Sequence, residues 1–582
     1  MQRLHAWLDQ DERRSLLLAL LALAGLCALA YGQQLGSLGL MDKTEGLFVE
    51  IPREMLISGD WITPRWNGEL FFDYPVWGYW MVAFSFKLFG VSEWAARLPV
   101  ALAASATVFA LFGLLMLVAT PQDPPHQRLG RALLGSTVLA LSPGWLGWGR
   151  SSVTDMFLAS GITLALFGFV LAHTAKHDRP WQKPLGYMAL AVFCGIAVLA
   201  KGPVGLVLPG LVMLVFWALN GTFVQQLRHT PWIALVLLFL GVAAPWYGMA
   251  TAANGTEFLG RFLGFSNVER FTTVIYDHPG PPWFYLPWVV ILLLPWSLFL
   301  PVACARLRFW RLQVWRQSTP ANDLPLIALL WLVVMVAFFS AAATKLPGYI
   351  LPAMPGGALL VALLFAPLAP PAAPLAAGMR LSGWINALLV GLMALVAVLA
   401  PRWIEQDPSY PAFADALRSS GLPWLLGLPL LLGAIGLVIV LLRGAGGLNW
   451  LWLPNAGWLA GVLALVLPVL VPLVDRERQL PIRTLARIAA EQARADEPLL
   501  VVGYKRYSVV FYSGRPVLFV SSPNEALEAL KATGASPGSV LLLASDHELL
   551  DFGLGPGDGT PLARRDAHRL MRLSLERMSQ LR

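Results

Sequence analysis

Apolar windows near twenty residues in length recur from Ser15 to Val474. Each is long enough to cross a hydrocarbon core of about 30 Å as a helix. Of the 582 residues, 57% are hydrophobic and 13% charged, too little charge to cover the surface of a soluble protein of this size. The expected fold class is therefore an α-helical polytopic membrane protein. About thirteen spans follow from helix length alone, near 16–40, 96–119, 132–149, 156–174, 185–200, 203–219, 232–250, 284–304, 324–343, 348–368, 381–400, 422–442 and 451–473. The first apolar run is too long for a signal-peptide core and reads as a retained signal-anchor helix. Cys27, Cys194 and Cys304 all lie in apolar segments, with neither metal spacing nor a disulfide framework. The net charge of +8 reads as lysines and arginines that fix topology, with no nucleic-acid partner.

An odd number of spans puts the termini on opposite sides. The positive-inside bias places the N-terminus in the cytoplasm, with Arg306, Arg308, Arg311 and Arg316 on that face. Asp42, Glu45, Asp73, Asp155, Lys201, His278 and Lys345 then all fall at outer helix ends or in outer loops. Acid is concentrated in the first outer loop, residues 41–95, where Asp42, Glu45, Glu50, Glu54, Asp60, Glu69 and Asp73 fall within about thirty residues of one another. The stretch "TEGLFVEIPREMLIS" has the spacing of an amphipathic helix lying in the membrane interface. "YPVWGYWMVAFSFKLFG" reads as a second interfacial helix, with its Trp and Tyr at headgroup depth. Its aromatic residues can anchor to lipid or stack on a sugar.

From Asp475 the pattern changes. "EPLLVVGY", "RPVLFV" and "GSVLLLAS" read as short buried strands, and "NEALEALKAT" as a helix capped by Asn524. The expected organisation is a membrane domain over 1–474 and a small extracytoplasmic α/β domain with a partly parallel sheet over 475–582. "GPGDGTP" (555–561) is a turn cluster rather than a dinucleotide fingerprint.

Several stretches together resemble the GT-C glycosyltransferases that use polyprenyl-phosphate sugars, chiefly the lipid A aminoarabinose transferases and the wider protein O-mannosyltransferase-like superfamily. They are "DKTEGLFVEIPREMLISGDWITPRWNGELFFDYP", "FGVSEWAARLPVAL", "GRSSVTDMF" (149–157), "LAKGPVG" (199–205), "NVERF…DHPGPPWFY" (267–285) and "TKLPGYILPAMP" (344–355). The resemblance implies a pentosyl- or hexosyltransferase of the cytoplasmic (inner) membrane, with its active site and C-terminal domain in the periplasm. It would take sugar from a polyprenyl-phosphate donor and pass it to a lipid or glycan acceptor. A protein acceptor is the alternative within the class, and a transporter of lipid-linked glycans or an inactive scaffold the alternatives outside it. A monomer surrounded by membrane lipids is expected. The resemblance also implies a catalytic acid at Asp42 or Glu45, and a divalent metal (Zn²⁺, Mg²⁺ or Mn²⁺) held by Asp73 and His278. The sequence departs from the family's F-[E/D]-K-P-P motif: it reads "FFDYPVWGYW", with Tyr74 where the family carries a phosphate-binding lysine.

Elementary chemistry asks for the same parts. Displacing a phosphate from an anomeric carbon needs a base for the acceptor hydroxyl and a cation for the leaving group. A nearby carboxylate also favours an oxocarbenium-like transition state. Asp42 or Glu45 can supply the base, or Asp42 and Glu45 can simply begin a helix. Lys201, set between apolar runs, needs a partner; donor phosphate and Asp155 are the two choices. Lys345, with Tyr349, is a phosphate and pocket candidate or an interfacial anchor, and Arg270 is a further phosphate candidate. Tyr74 is placed in the pocket. Asp155 is expected near the catalytic site and paired with Arg150. His278 is the one imidazole expected at the outer face of the bundle, as metal ligand or structural residue.

Overall fold

The computed structural model describes residues 11–119, 123–274, 278–366, 371–403, 410, 412–494, 496–532, 537–555 and 557–581. Among these, nine helices are long and apolar enough to cross a membrane, and two bent helix pairs bring the total to eleven. The chain is a multi-pass membrane protein. The count of about thirteen drawn from length differs because two of the segments form shorter helices. Residues 132–149 fall on Pro125–Ala140 and Pro143–Trp148, separated at Leu141–Ser142. Residues 203–219 form the 17-residue helix Val204–Asn220. The span expected over 284–304 is not one rod: Tyr285–Leu292 and Trp296–Arg306 meet at 110°. Pro295 lies at the break, where a missing N–H interrupts the helical ladder.

The first loop packs against both the membrane part and the C-terminal domain. Its helix Glu45–Ser58 ends on Gly59 in the left-handed region. Within it Glu45, Gly46, Val49, Glu50, Ile51, Pro52 and Met55 are all buried. One side packs on the helix Trp77–Phe89 and the other on the C-terminal domain. Its two buried acids are paired with arginines, Glu45 with Arg97 and Glu50 with Arg53, the latter at 2.5 Å. A helix whose charges are paired from within can be buried between two layers. Beyond it, strands β1 (Arg65–Trp66) and β2 (Glu69–Leu70) form a hairpin. Asn67 and Gly68 both have positive φ at its turn, the geometry that suits the twist of a two-residue hairpin.

The C-terminal domain is a five-stranded mixed sheet. Strands β3 (Leu499–Val502), β4 (Val517–Val520), β5 (Ser539–Ser545), β6 (Thr560–Arg565) and β7 (His568–Ser574) lie in the order β4-β3-β5-β7-β6. β3 pairs in parallel with β4 and β5, and β7 antiparallel with β5 and β6. The β6–β7 hairpin has no counterpart in the sequence reading. The helix Pro523–Ala532 begins one residue before Asn524, and Ser522 rather than Asn524 accepts an N–H at its start, that of Glu525. Residues 475–492 are helical and form the end of the last bent pair, Gly444–Leu465 and Leu467–Gln492, from which the chain enters the sheet. There Ile482, Leu485, Ala486 and Ala489 form the buried stripe of the amphipathic helix Leu480–Gln492.

That stripe shares one hydrophobic core with Val509 and Val510 of the domain and with Leu40, Val49, Phe86 and Ala95 of the membrane part. The edge strand β4 is covered by the first loop, which removes an open pairing edge. The Asn67 amide exchanges two 2.9 Å hydrogen bonds with the backbone of Val517, and Trp66 stacks on Phe519. Gly46 is where the two layers come closest. A Cβ there would lie 2.5 Å from the Ser508 nitrogen and 2.8 Å from the Tyr507 carbonyl carbon. Gly46→Ala is therefore expected to cost about 1–3 kcal/mol by overpacking, seen as a lower thermal midpoint and faster proteolysis of the C-terminal domain. Gly25→Ala, where a Cβ would meet nothing within 4 Å, should leave both unchanged. Equal behaviour of the two variants would contradict this docking.

Candidate active site

Two carboxylates open the first loop, and the fold gives them opposite environments. Glu45 is fully buried. Arg97 grips it with Nε to Oε1 at 2.8 Å and Nη2 to Oε2 at 2.6 Å. The Ser152 and Met41 N–H groups add bonds of 2.9 and 3.1 Å. Burial raises the carboxyl, but Arg97 and these N–H groups outweigh it and hold Glu45 below the usual carboxylate range. A carboxylate with four donors and no exposure is a structural anion. Of the two candidate acids, Glu45 is thus the one committed to internal partners. Arg97 also donates to the carbonyls of Leu35, Leu38 and Gly39, so one guanidinium fixes the whole entry to the first loop. Sequence reasoning passed over Arg97, although an arginine inside an apolar helix was itself a signal.

Asp42 is half-buried. Its Oδ1 accepts a 2.9 Å bond from the Ser508 N–H, across 466 residues of sequence. Burial pushes its carboxyl up, and the Ser508 hydrogen bonds and the nearby Arg506 charge offset this only in part. Arg506 is itself held by Glu548 at 3.0 Å. The C-terminal domain thus supplies the surroundings of Asp42, which no local spacing could announce. A partly exposed carboxylate with a raised proton affinity has the character of a general base.

The second group lies at helix ends. Asp155 is in the first turn of Thr154–His173, and Lys201 is the last residue of Gln182–Lys201. Lys201 Nζ bonds Asp155 Oδ1 at 2.5 Å. The ammonium sits 5.4 Å from the ring centre of Tyr74 and 5.2 Å from that of Tyr349. Four residues from four parts of the sequence therefore form one cationic, aromatic-walled site. The expected Arg150–Asp155 pair is not formed. Arg150 instead donates to the carbonyls of Ala30 (2.8 Å) and Gln33 (2.5 Å), because the loop folds it back against the first span. Ser152, which bonds Glu45, is only three residues from Asp155, so the two carboxylate environments share one short loop. The buried hydroxyls of Tyr79 and Thr154 have no hydrogen-bond partner among the described residues. Thr154 adjoins Asp155, and burial, with the nearby Asp73 carboxylate, keeps the Tyr79 hydroxyl protonated.

The remaining candidates separate. The Lys345 ammonium is turned onto the carbonyls of Ser340 (2.8 Å) and Ala342 (2.5 Å) and is buried. Two of its three N–H donors are thus used within the chain. His278 is exposed, and its carbonyl accepts the Lys345 N–H at 3.0 Å. Asp73 is half-buried. No group of three or more His, Cys, Asp or Glu side chains could hold a metal ion among the described residues. Asp73 and His278 offer at most two protein donors, short of a closed tetrahedral or octahedral shell. The expectation for Arg270 concerns a side chain outside the described residues.

Residues 16–255 match the family model described as dolichyl-phosphate-mannose-protein mannosyltransferase, and residues 492–582 match the C-terminal domain of cyanobacterial RgtA-type glycosyltransferases. An undecaprenyl phosphate-alpha-4-amino-4-deoxy-L-arabinose arabinosyl transferase of Edwardsiella ictaluri is 30% identical over 485 residues, covering 82% of this chain and 81% of that one. Enzymes of the same name from Shewanella sediminis and Serratia proteamaculans are 32% and 30% identical, over 56% and 65% of this chain. The match spans 56% and 63% of those relatives' own lengths. Among solved structures, ArnT from Cupriavidus metallidurans bound to undecaprenyl phosphate has the same fold. The TM-score is 0.73 at 22% identity, covering 96% of this chain and 97% of that one.

Proposed function

The chain belongs to the family of the undecaprenyl-phosphate aminoarabinose arabinosyl transferases, and from that premise we propose that it is a glycosyltransferase. It moves a sugar from an undecaprenyl-phosphate-type donor to a lipid acceptor at the outer face of the inner membrane. The N-terminus lies in the cytoplasm in this reading, and the C-terminal domain in the periplasm. The observation that carries the proposal is Lys201, an ammonium held between Asp155, Tyr74 and Tyr349. An ammonium has three donors, so one can serve Asp155 while the others meet the donor phosphate. Asp155 is then a positioning residue. Lys201 takes over the role of the lysine that Tyr74 replaces, and its charge sits over the Tyr74 ring. The lone hydroxyls of Tyr79 and Thr154 fit the same anion, since each buried unsatisfied donor costs about 1–3 kcal/mol until it is used.

Asp42 accepts the proton of the acceptor hydroxyl. The oxygen so exposed forms its bond to the anomeric carbon as the carbon–oxygen bond to phosphate breaks. The polyprenyl phosphate leaves with that electron pair, and Lys201 takes up its charge. Direct displacement inverts the anomeric centre. No step depends on a metal; an ion at Asp73 and His278 would need phosphate or water to complete its shell. A transporter is less well supported. The paired charges lie at the first turn and last residue of their helices, whereas transport sites sit near mid-membrane in broken helices.

Purified protein in liposomes, given undecaprenyl-phosphate-linked 4-amino-4-deoxy-arabinose and lipid A, should yield modified lipid A and free undecaprenyl phosphate. Envelope lipids with and without the protein, compared by mass spectrometry, identify the sugar if another one is used. No product and no envelope difference would refute the proposal. The raised Asp42 carboxyl makes a pH statement with a definite sign. Rate requires Asp42 deprotonated, so kcat/KM should fall as pH drops through its folded-state value. That value lies above the ordinary 3.8, so the acid limb should appear above the ordinary aspartate range. A limb at or below that range would contradict the assignment.

A further inference from the structure

At the end of helix Leu324–Ala341 remote from Lys345, the connector 305–317 reads "ARLRFWRLQVWRQ". The helix is 18 residues long, which separates the two ends by about 27 Å at 1.5 Å per residue. The connector folds into the short helix Leu312–Arg316. Buried Trp315 ties it down, donating from Nε1 to the Phe309 carbonyl at 2.7 Å, while its own carbonyl accepts from Asn220 at 3.0 Å. A pocket of about 300 Å³ opens beside it, walled by Leu219, Phe309, Trp310, Leu312, Leu330 and Val333. Trp310 is 62% exposed.

Arginines adjoin the wall residues along the chain: Arg308 precedes Phe309, Arg311 lies between Trp310 and Leu312, and Arg316 follows Trp315. Arg308, Arg311 and Arg316 are exposed, and among the described residues their guanidinium groups make no hydrogen bond or ion pair. Arg316 lies over Gly221, at the end of the helix that brings Leu219 to the pocket. Arg306 is spent on the Leu363 carbonyl. Residues 305–322 contain no acid. The helices Val204–Asn220 and Leu324–Ala341 packed there contain no charge, and Phe223–His229 adds only Arg228 and His229. The first acid in reach along the chain, Asp323, is taken by His173 at 2.7 Å.

We propose that this pocket binds an anionic phospholipid of the leaflet opposite the active site, with its phosphodiester on Arg308, Arg311 and Arg316 and acyl chain in the apolar groove. Both halves of the site are needed for the assignment. An apolar groove alone accepts any lipid, and exposed arginines alone accept any anion. The pairing of unpartnered guanidiniums with an apolar wall selects a ligand that carries a negative head on a hydrocarbon tail. Juxtamembrane bases contribute about 1 kcal/mol each toward anionic lipid, so three give a preference well above tenfold.

The test is native mass spectrometry of the purified full-length protein with phosphatidylglycerol or phosphatidylcholine of identical acyl chains. Phosphatidylglycerol should be retained at least about tenfold more strongly, and the R308Q/R311Q/R316Q variant should lose that preference. Val333→Trp, which narrows the groove and leaves every arginine in place, should also lower retention. It serves as a second reading should the triple variant fold poorly. Excess glycerol 3-phosphate should leave the lipid bound. Equal retention of the two lipids, an unaltered preference in the triple variant, full retention in Val333→Trp, or displacement by glycerol 3-phosphate would each overturn the proposal.

Discussion

Asp42→Asn should lower sugar transfer by about 10²- to 10⁴-fold, the usual contribution of a positioned general base, with thermal stability nearly unchanged. The asparagine carbonyl oxygen can still accept the Ser508 N–H that Asp42 Oδ1 accepts at 2.9 Å, so the contact to the C-terminal domain survives while the base is lost. The acid limb of the pH profile should vanish with it. Glu45→Gln should behave in the opposite way. Its neutral amide cannot serve Arg97 at both oxygens, so the protein loses stability, and the folded fraction keeps more activity than Asp42→Asn does. Steady-state transfer rates normalised to folded protein, alongside unfolding in detergent, separate the two. If Glu45→Gln abolishes turnover in well-folded protein while Asp42→Asn keeps it, the roles assigned to these two acids are reversed.

Arg97→Met should destabilise the protein by about 3–5 kcal/mol, because it strands a buried carboxylate. Four partners lose their donor at once: Glu45 and the carbonyls of Leu35, Leu38 and Gly39. Glu45→Leu combined with Arg97→Met should recover part of the loss, since removing both members of a buried pair is far milder than removing one. The linkage to pH has a definite sign. Glu45 is held below the usual 4.5 in the folded protein. Its contribution is fully present above 4.5 and is lost as pH falls through the lower folded value. Acid unfolding of the wild type should therefore show a component below pH 4.5 that the double variant lacks. A thermal midpoint for Arg97→Met equal to that of the wild type would contradict this account of the loop anchor.

What could be read from the sequence, and what could not, divides by range. Hydrophobic length located the helices, because a span is a local property of about twenty residues. It failed at 132–149 and 284–304, where the chain breaks within an apolar run that length alone cannot resolve. Lys201 was legible as a charge needing a partner, and both of its possible partners were named. Tyr74 and Tyr349 were expected in a pocket, and the structure sets both rings beside the Lys201 ammonium. The burial of Glu45 was not legible, because Arg97, which grips it, lies 52 residues on. The Lys345 ammonium likewise meets carbonyls only three and five residues back, contacts that residue type alone does not announce. The part played by Ser508 and Arg506 in the surroundings of Asp42 lay beyond sequence reasoning altogether. It depends on a second domain folding down onto the first loop, and the contact that records it spans 466 residues.

The most direct measurement is an electron cryomicroscopy structure of the protein in nanodiscs with undecaprenyl phosphate. The phosphate should lie within hydrogen-bond reach of Lys201 Nζ, between the Tyr74 and Tyr349 rings, with the prenyl chain running into the bilayer. A phosphate bound elsewhere, with the Asp155–Lys201 pair closed and nothing against it, would contradict the site and the reaction built on it.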